Sequence, residues 1–202
     1  MKNDFNAKIK IFNNFCNVND IDKNLILNLY NNFFEDSNII KKDFLHRMLE
    51  NKLNEEDKEY VNSRLKNAKN MDWRTPIEFA CELALSWLWE DCIALKYNAE
   101  LIGCDKSRNF LTNTKQITST PDLIINNKKV EIVIDYTGFV ENNNKLDLRC
   151  SKYDTLMEQN SNVLICTPSG NTILLDLNTI KIKRSNYHRI WKKPFVRLFL
   201  ED

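Results

Sequence analysis

The stretch TSTPDLIINNKKVEIVIDYTGF, residues 118–139, predicts two β-strands joined by a tight turn. Asparagine tolerates the left-handed backbone that two-residue turns require, so Asn126 and Asn127 are the expected turn residues. In that register Asp122 lies opposite Glu131. Directly opposed like charges are destabilising, and a bound divalent cation is the simplest way to make two carboxylates favourable here. Because Mg²⁺ prefers carboxylate oxygens, the hairpin predicts a site for Mg²⁺ or Mn²⁺.

Two alternatives stay open at this point. A four-residue loop would shift the strand pairing by two residues, and Asp122 and Glu131 would then be diagonal neighbours. The acids also have a purely structural interpretation, since Asp commonly precedes a strand and a Glu on a solvated face needs no further role.

Periodicity in the rest of the chain predicts an α/β fold with a mixed sheet flanked by helices. Apolar residues repeat at helical spacing over residues 20–70, with Asp20 and Asn54 as N-caps. The strongest helix is expected over residues 75–97, where Thr75 would be the N-cap and Glu78 would complete a capping box. Further strands are expected over 99–102, 110–117, 122–126, 129–136, 163–167 and 172–177, and further helices over 144–159 and from about 185 to 194.

Composition narrows the class of protein. The 202 residues predict one compact unit, with a helical N-terminal region over 1–72 and an α/β core over 73–202 that ends in a basic helix. Neither a signal peptide nor a membrane helix is expected, so we predict a cytoplasmic protein. The six cysteines form no C-x-x-C pair, there are two histidines, and the three glycines make no phosphate-binding loop. Zinc enzymes, ATPases and dinucleotide enzymes are therefore disfavoured.

The hairpin, the acidic helix before it and the helix and strand after it together resemble the PD-(D/E)XK nuclease superfamily, over about residues 75–177. The resemblance implies a restriction-endonuclease-like fold and Mg²⁺-dependent hydrolysis of DNA. It also implies that Asp122 is the first metal-binding acid and Glu131 the second. Glu82 is the candidate metal-binding acid of the upstream helix, with Glu78 as its rival.

The lysine of the family motif is missing, because Val133 occupies its position. Some relatives carry this lysine on the following helix, where Lys145, Arg149 and Lys152 are expected to share a face. We assign the role of orienting the attacking water to Lys152. A solvated helix face is the alternative interpretation.

A second alignment is available, since "IDYTGF" resembles the "DYKTG" of exonuclease-like members of the superfamily. It would make Asp135 the second metal ligand, although we prefer Glu131. If the motif lysine has been lost altogether, the implied function changes to a catalytically degenerate nuclease-fold protein that binds nucleic acid or a protein partner.

Basic residues are candidates for phosphate contacts. Residues 72–140 carry a local net charge of −3 and residues 141–202 a local net charge of +3. DNA is the implied substrate and RNA stays open, while the N-terminal helices could serve recognition, a homodimer or a larger nucleic-acid-processing complex. An amphipathic terminal helix with solvated charges is the alternative for the C-terminal cations. The candidate phosphate contacts are Lys106, Arg108, Arg149, Arg189, Lys192 and Lys193.

Overall fold

The computed structural model describes residues 2–30, 41–69, 71–104, 106–110 and 118–200. Within these ranges the protein is a mixed α/β structure with seven helices and eight strands. The helices are α1 (Lys2–Val18), α2 (Lys23–Leu29), α3 (Lys42–Leu49), α4 (Glu55–Leu65), α5 (Pro76–Tyr97), α6 (Phe139–Asn143) and α7 (Cys150–Glu158). The strands are β1 (Glu100–Leu101), β2 (Leu123–Ile125), β3 (Lys128–Ile134), β4 (Lys145–Arg149), β5 (Asn162–Cys166), β6 (Thr172–Leu175), β7 (Lys181–Ser185) and β8 (Phe195–Phe199).

Five strands form a mixed sheet in the order β1-β2-β3-β5-β6. The pairs β1–β2, β2–β3 and β5–β6 are antiparallel, and β3–β5 is parallel. A second sheet contains three antiparallel strands in the order β4-β8-β7. The mixed sheet confirms the predicted α/β class, whereas the second sheet was not predicted.

The β2–β3 hairpin has the predicted two-residue turn. Asn126 and Asn127 have φ angles of 48° and 62°, as a type I′ turn requires. Leu123 pairs with Val130, so the longer-loop register is wrong. Extending this register by one residue places Asp122 opposite Glu131.

Helix α5 begins and ends with the expected signals. Thr75 accepts a hydrogen bond from the Glu78 amide and Glu78 accepts one from the Thr75 amide, which confirms the predicted capping box. Asn98 ends the helix in the left-handed conformation, with a φ of 49°. The buried residues of α5 share one hydrophobic core with α1 to α4 and with one face of the mixed sheet. The N-terminal helices therefore do not have a core of their own.

The other face of the mixed sheet supports a second core. Val163 and Ile165 of β5 pack there with α7 and the three-stranded sheet, whereas Leu164 and Cys166 point into the α5 core. This alternation follows from the two-residue period of a strand. The result is three layers: the N-terminal helices with α5, the mixed sheet, and α7 with the second sheet.

Two predicted elements need correction. The helix over 144–159 is wrong in its first half, because Lys145–Arg149 is strand β4 with Leu146 and Leu148 buried on alternate positions. The C-terminal basic helix is wrong as well, since β7, a loop over 186–194 and β8 occupy that region. Pairing of β8 with both β4 and β7 outweighs the helical tendency of these segments.

Smaller corrections concern caps. Asn54 caps α4 as predicted, in a capping box with Asp57. Asp20 is not an N-cap, because Asp22 accepts the Asn24 amide at the start of α2. The strand predicted over 110–117 falls mainly on residues outside the described ranges.

A buried charge cluster attaches the loop that follows β1 to helix α5. Arg108 is 2% exposed, and its guanidinium lies 2.6 Å from Glu90 Oε2 and 2.5 Å from Asp91 Oδ1. The Tyr30 hydroxyl donates to the other Asp91 oxygen at 2.5 Å. Burial raises the pKa of Tyr30 well above its ordinary value, so the phenol remains a donor. One cation thus compensates two buried carboxylates.

Replacing Arg108 should destabilise the protein strongly. Arg108→Ala leaves Glu90 and Asp91 as buried carboxylates without their cation, at an expected cost of about 3–5 kcal/mol in the free energy of unfolding. Urea titration followed by circular dichroism measures this cost. Lys106→Ala is the matched control on the same loop, because Lys106 is exposed and its loss should change stability by less than about 0.5 kcal/mol. Equal costs for the two variants would contradict the structural role of the cluster.

Candidate functional site

Asp122 closes the open end of the β2–β3 hairpin. Its carboxylate Oδ2 accepts a hydrogen bond from the Ile132 amide at 2.8 Å, and its main-chain carbonyl accepts the Ile102 amide at 2.9 Å. The Ile132 amide belongs to the peptide that follows Glu131. Asp122 is therefore held one peptide unit from Glu131, by contacts on both its side chain and its main chain.

Glu131 and Lys152 form an ion pair across the site. Ile132 and Ile134 of β3 pack into the α5 core, whereas Val133 packs into the core beneath α7. Glu131 shares the Val133 face by strand alternation. Lys152 of α7 places its Nζ 2.6 Å from Glu131 Oε1, with the Glu131 side chain 12% exposed and the Lys152 side chain 38% exposed. The structure thus brings together Asp122, Glu131 and the lysine chosen from the following helix.

This donor set fits a hard divalent cation. Mg²⁺ is often bound through one or two carboxylates and completes its octahedral shell with waters and substrate phosphate oxygens. Each carboxylate has about four acceptor positions, so one hydrogen bond or ion pair does not exhaust it. Among the described residues, no group of three or more His, Cys, Asp or Glu side chains is arranged to hold a metal ion. A cation here would rely on Asp122, Glu131 and oxygens from outside the chain.

Glu82 does not join the hairpin acids. It lies on α5, across the sheet from the Glu131 face, and accepts from Lys8 Nζ at 3.0 Å and from Arg74 Nη1 at 2.9 Å. The rival residue Glu78 is engaged in the capping box of Thr75. The prediction that an α5 acid completes the metal site therefore needs correction. Glu82 lies on the opposite side of the sheet and is paired with Lys8 and Arg74, and Glu78 caps the start of α5.

Asp135 has a structural role instead of the predicted metal-binding one. It is buried, and its two carboxylate oxygens accept the amides of Phe139 at 3.0 Å and Val140 at 2.7 Å. The Thr137 hydroxyl donates to it at 3.1 Å. Asp135 thus holds the N-terminus of α6, and "IDYTGF" encodes a turn rather than a ligand set.

The predicted phosphate contacts divide into two groups. The predicted phosphate contact of Arg108 is wrong, because Arg108 is buried in the cluster with Glu90 and Asp91 and cannot reach a nucleic acid. The other five are exposed to solvent, so phosphate contact stays a prediction for them: Lys106, Arg149, Arg189, Lys192 and Lys193.

All six cysteines are free thiols. Burial raises the pKa of Cys81 and of Cys166 to about 12, which keeps both protonated at neutral pH. A thiolate nucleophile is not available at either position.

A polar cluster at the second sheet was not predicted from the sequence. Arg197 forms two hydrogen bonds of 2.7 Å to the Asp147 carboxylate, and His188 Nε2 lies 3.5 Å from Asp147 Oδ2. Asp147 belongs to β4, which was predicted to be helical, so no local pattern could have brought these residues together.

Comparison of the chain with protein-family models, curated proteins and solved structures yields no match. Within the described ranges, no helix is long and apolar enough to cross a bilayer.

Glu82 should make the stability of the protein depend on pH. Burial raises its pKa, but hydrogen bonds from Lys8 and Arg74 outweigh burial and hold the pKa below the ordinary 4.5. A carboxyl with a lowered folded-state pKa stabilises the fold above its unfolded-state pKa, and this contribution disappears as pH falls through the folded-state pKa.

Glu82→Gln should therefore be less stable than the parent at pH 7, by less than about 1 kcal/mol because the pair is partly solvated. The difference should shrink below pH ~4.5, near the unfolded-state pKa of Glu. Urea unfolding at several pH values measures it, with Glu59→Gln on the exposed surface of α4 as the control. A difference that is constant over the whole pH range would contradict the assignment.

Proposed function

We propose that this protein is a metal-dependent endonuclease that hydrolyses DNA phosphodiester bonds and has a restriction-endonuclease-like core. The observation that carries the proposal is the 2.6 Å approach of Lys152 Nζ to Glu131 Oε1, beside an Asp122 that is fixed to the same strand. Two carboxylates and one ammonium group thus converge on the hairpin that the sequence singled out.

The order of elements supports the same proposal. Helix α5 precedes the three antiparallel strands β1, β2 and β3, and helix α7 then precedes β5, which is parallel to β3. The superfamily resemblance rests on the hairpin within this order, on the helix before it and on the helix and strand after it. Strand β4 and helix α6 are additions between β3 and α7.

The chain's own residues would divide the work at the site. Asp122 and Glu131 would hold the cation, which when bound supplies charge stabilisation and lowers the pKa of its water. Lys152 is an ammonium group with donors only, so it can orient the attacking water and stabilise negative charge but cannot remove a proton in that state. Its partial exposure gives the ammonium access to a phosphate from solvent.

A second candidate function is nucleic-acid binding without hydrolysis. Val133 occupies the strand position of the family lysine, and Lys152 already neutralises Glu131 in the structure. Incubation with plasmid, single-stranded DNA and RNA, each with Mg²⁺ or Mn²⁺ and with an EDTA control, separates the two. Salt-sensitive binding of DNA by a protein that cleaves none of these substrates would favour the second candidate.

Metal binding should be visible as a thermal shift. A ligand that binds only the folded state stabilises it, by about 2.7 kcal/mol at one hundred times its Kd. Asp122→Asn should remove this shift but retain the fold, because an amide oxygen can still accept the Ile132 amide. Differential scanning calorimetry with Mg²⁺, Mn²⁺ and EDTA measures both effects. Glu158→Gln, at an exposed acid of α7, is the matched control and should keep the parent shift.

Lys152→Ala should lower kcat by about 10²–10³-fold, the usual effect of losing one donor to developing charge, with little change in DNA affinity. Single-turnover cleavage and anisotropy titration measure the two quantities separately. Lys145→Ala is the control, because Lys145 lies on β4 with its ammonium 5.8 Å from the Phe199 ring centroid. A Lys152→Ala protein that binds weakly but cleaves normally at saturation would reassign Lys152 to phosphate contact.

A further inference from the structure

The loop over 186–194, between β7 and β8, is held in one conformation by contacts between its own residues. The His188 ring stacks on Trp191 with centroids 4.0 Å apart, and it meets the edge of Phe195 at 5.0 Å. His188 Nδ1 accepts the amides of Ile190 and Trp191, both at 3.3 Å. The Lys192 amide donates to the His188 carbonyl at 2.8 Å. The loop therefore has a fixed conformation before any partner arrives.

The same loop is hydrogen-bonded to the start of helix α7. The Cys150 amide, in the first turn of α7, donates to the Pro194 carbonyl at 3.2 Å. The Arg149 guanidinium lies 5.8 Å from the Trp191 ring centroid. Since Lys152 follows two residues after Cys150, the loop and the candidate active site share one helix terminus.

The loop directs apolar side chains outward. Ile190 is 80% exposed and Tyr187 is 59% exposed, whereas His188 and Trp191 are turned inward. A solvated isoleucine gains nothing from the surrounding fold. On a fixed loop, its apolar surface is available to a partner.

The charge around the loop favours a polyanionic partner. Residues 181–200 contain seven Lys and Arg residues and no Asp or Glu. Two of the seven are paired with acids outside this segment, Arg184 with Asp154 and Arg197 with Asp147. Arg189, Lys192 and Lys193 are exposed on the loop itself. This arrangement suits a polyanion, because each basic residue placed on a phosphate adds affinity by releasing counterions.

We propose that this loop is a wedge that inserts Ile190 between base steps of duplex DNA and kinks the duplex beside the candidate active site. The proposal rests on the proposed function for the identity of the partner. Apolar side chains presented by DNA-bending proteins unstack base steps in this way, while neighbouring cations hold the backbone. The substrate class that follows is duplex DNA at easily deformed steps, such as TA.

The test measures bending without cleavage. A short duplex with central TA steps and a fluorophore at each end is titrated with the full chain in EDTA, and energy transfer reports the end-to-end distance. Permanganate reactivity of thymines reports unstacking on the same duplex. Bending and reactive thymines are expected for the parent. Ile190→Ala should abolish both, with affinity lowered less than about tenfold, since the phosphate contacts remain.

Two further variants make the result specific. Ile182→Ala removes an exposed isoleucine from β7, outside the loop, and should bend the duplex as the parent does. Replacing Arg189, Lys192 and Lys193 together by Gln should reduce the salt dependence of binding by about one unit of slope for each cation removed.

Several outcomes would overturn the wedge. They are binding of the duplex with no bend, a bend that survives Ile190→Ala, and preference of the parent for anionic vesicles over duplex DNA. The cleavage assay with Mg²⁺ tests the proposed nuclease function separately. Cleavage of DNA without bending would contradict the wedge proposal alone. Bending of DNA without cleavage would contradict the nuclease proposal alone.

Discussion

The parallel pairing of β3 with β5 is the constraint on which the rest of the structure depends. A hairpin cannot join parallel strands, so the chain must leave the sheet after Ile134 and return at Asn162. That excursion contains α6, β4 and α7. Helix α7 covers the sheet face that carries Glu131, which is how Lys152 reaches it. Strand β4 provides the edge on which β8 and then β7 assemble, so the second sheet also follows from this pairing.

The start of the excursion is set by two residues that resembled a catalytic motif. Asp135 caps the amides of α6, and Gly138 has a φ of 70°, where a Cβ would also lie 3.1 Å from Asn142 Nδ2. Glycine is favoured in this left-handed conformation. The sequence "DYTG" therefore turns the chain out of the sheet, and it does so with a carboxylate whose oxygens are occupied by backbone donors.

Features with local causes could be predicted from the sequence. The Asn126-Asn127 turn, the Thr75 capping box and the β3–α7–β5 order are each specified within a few residues or by a clear period. Strand β4 could not be predicted, because its partner β8 begins 50 residues after β4 does, with Lys145 paired to Phe199. Burial of Arg108 likewise depends on Glu90 and Asp91 meeting a loop from outside their helix. Lys152 lies in the part of the predicted 144–159 helix that is helical, whereas Lys145 and Arg149, expected on the same helical face, lie on strand β4.

The Lys152–Glu131 pair has a consequence for how the site can work. A carboxylate that is 12% exposed needs a compensating charge, and in the structure Lys152 provides it. A cation bound by Glu131 would take over that compensation and repel the ammonium. The lysine side chain has a flexible four-carbon stem, and Lys152 is more than a third exposed, so its ammonium can swing toward solvent and a bound phosphate. A lysine at the Val133 position would start from the strand itself, within the packed layer beneath α7. If a cation binds the acids as proposed, placement on α7 would couple the position of the lysine to the charge at Glu131, and the ammonium group would leave Glu131 when the cation binds.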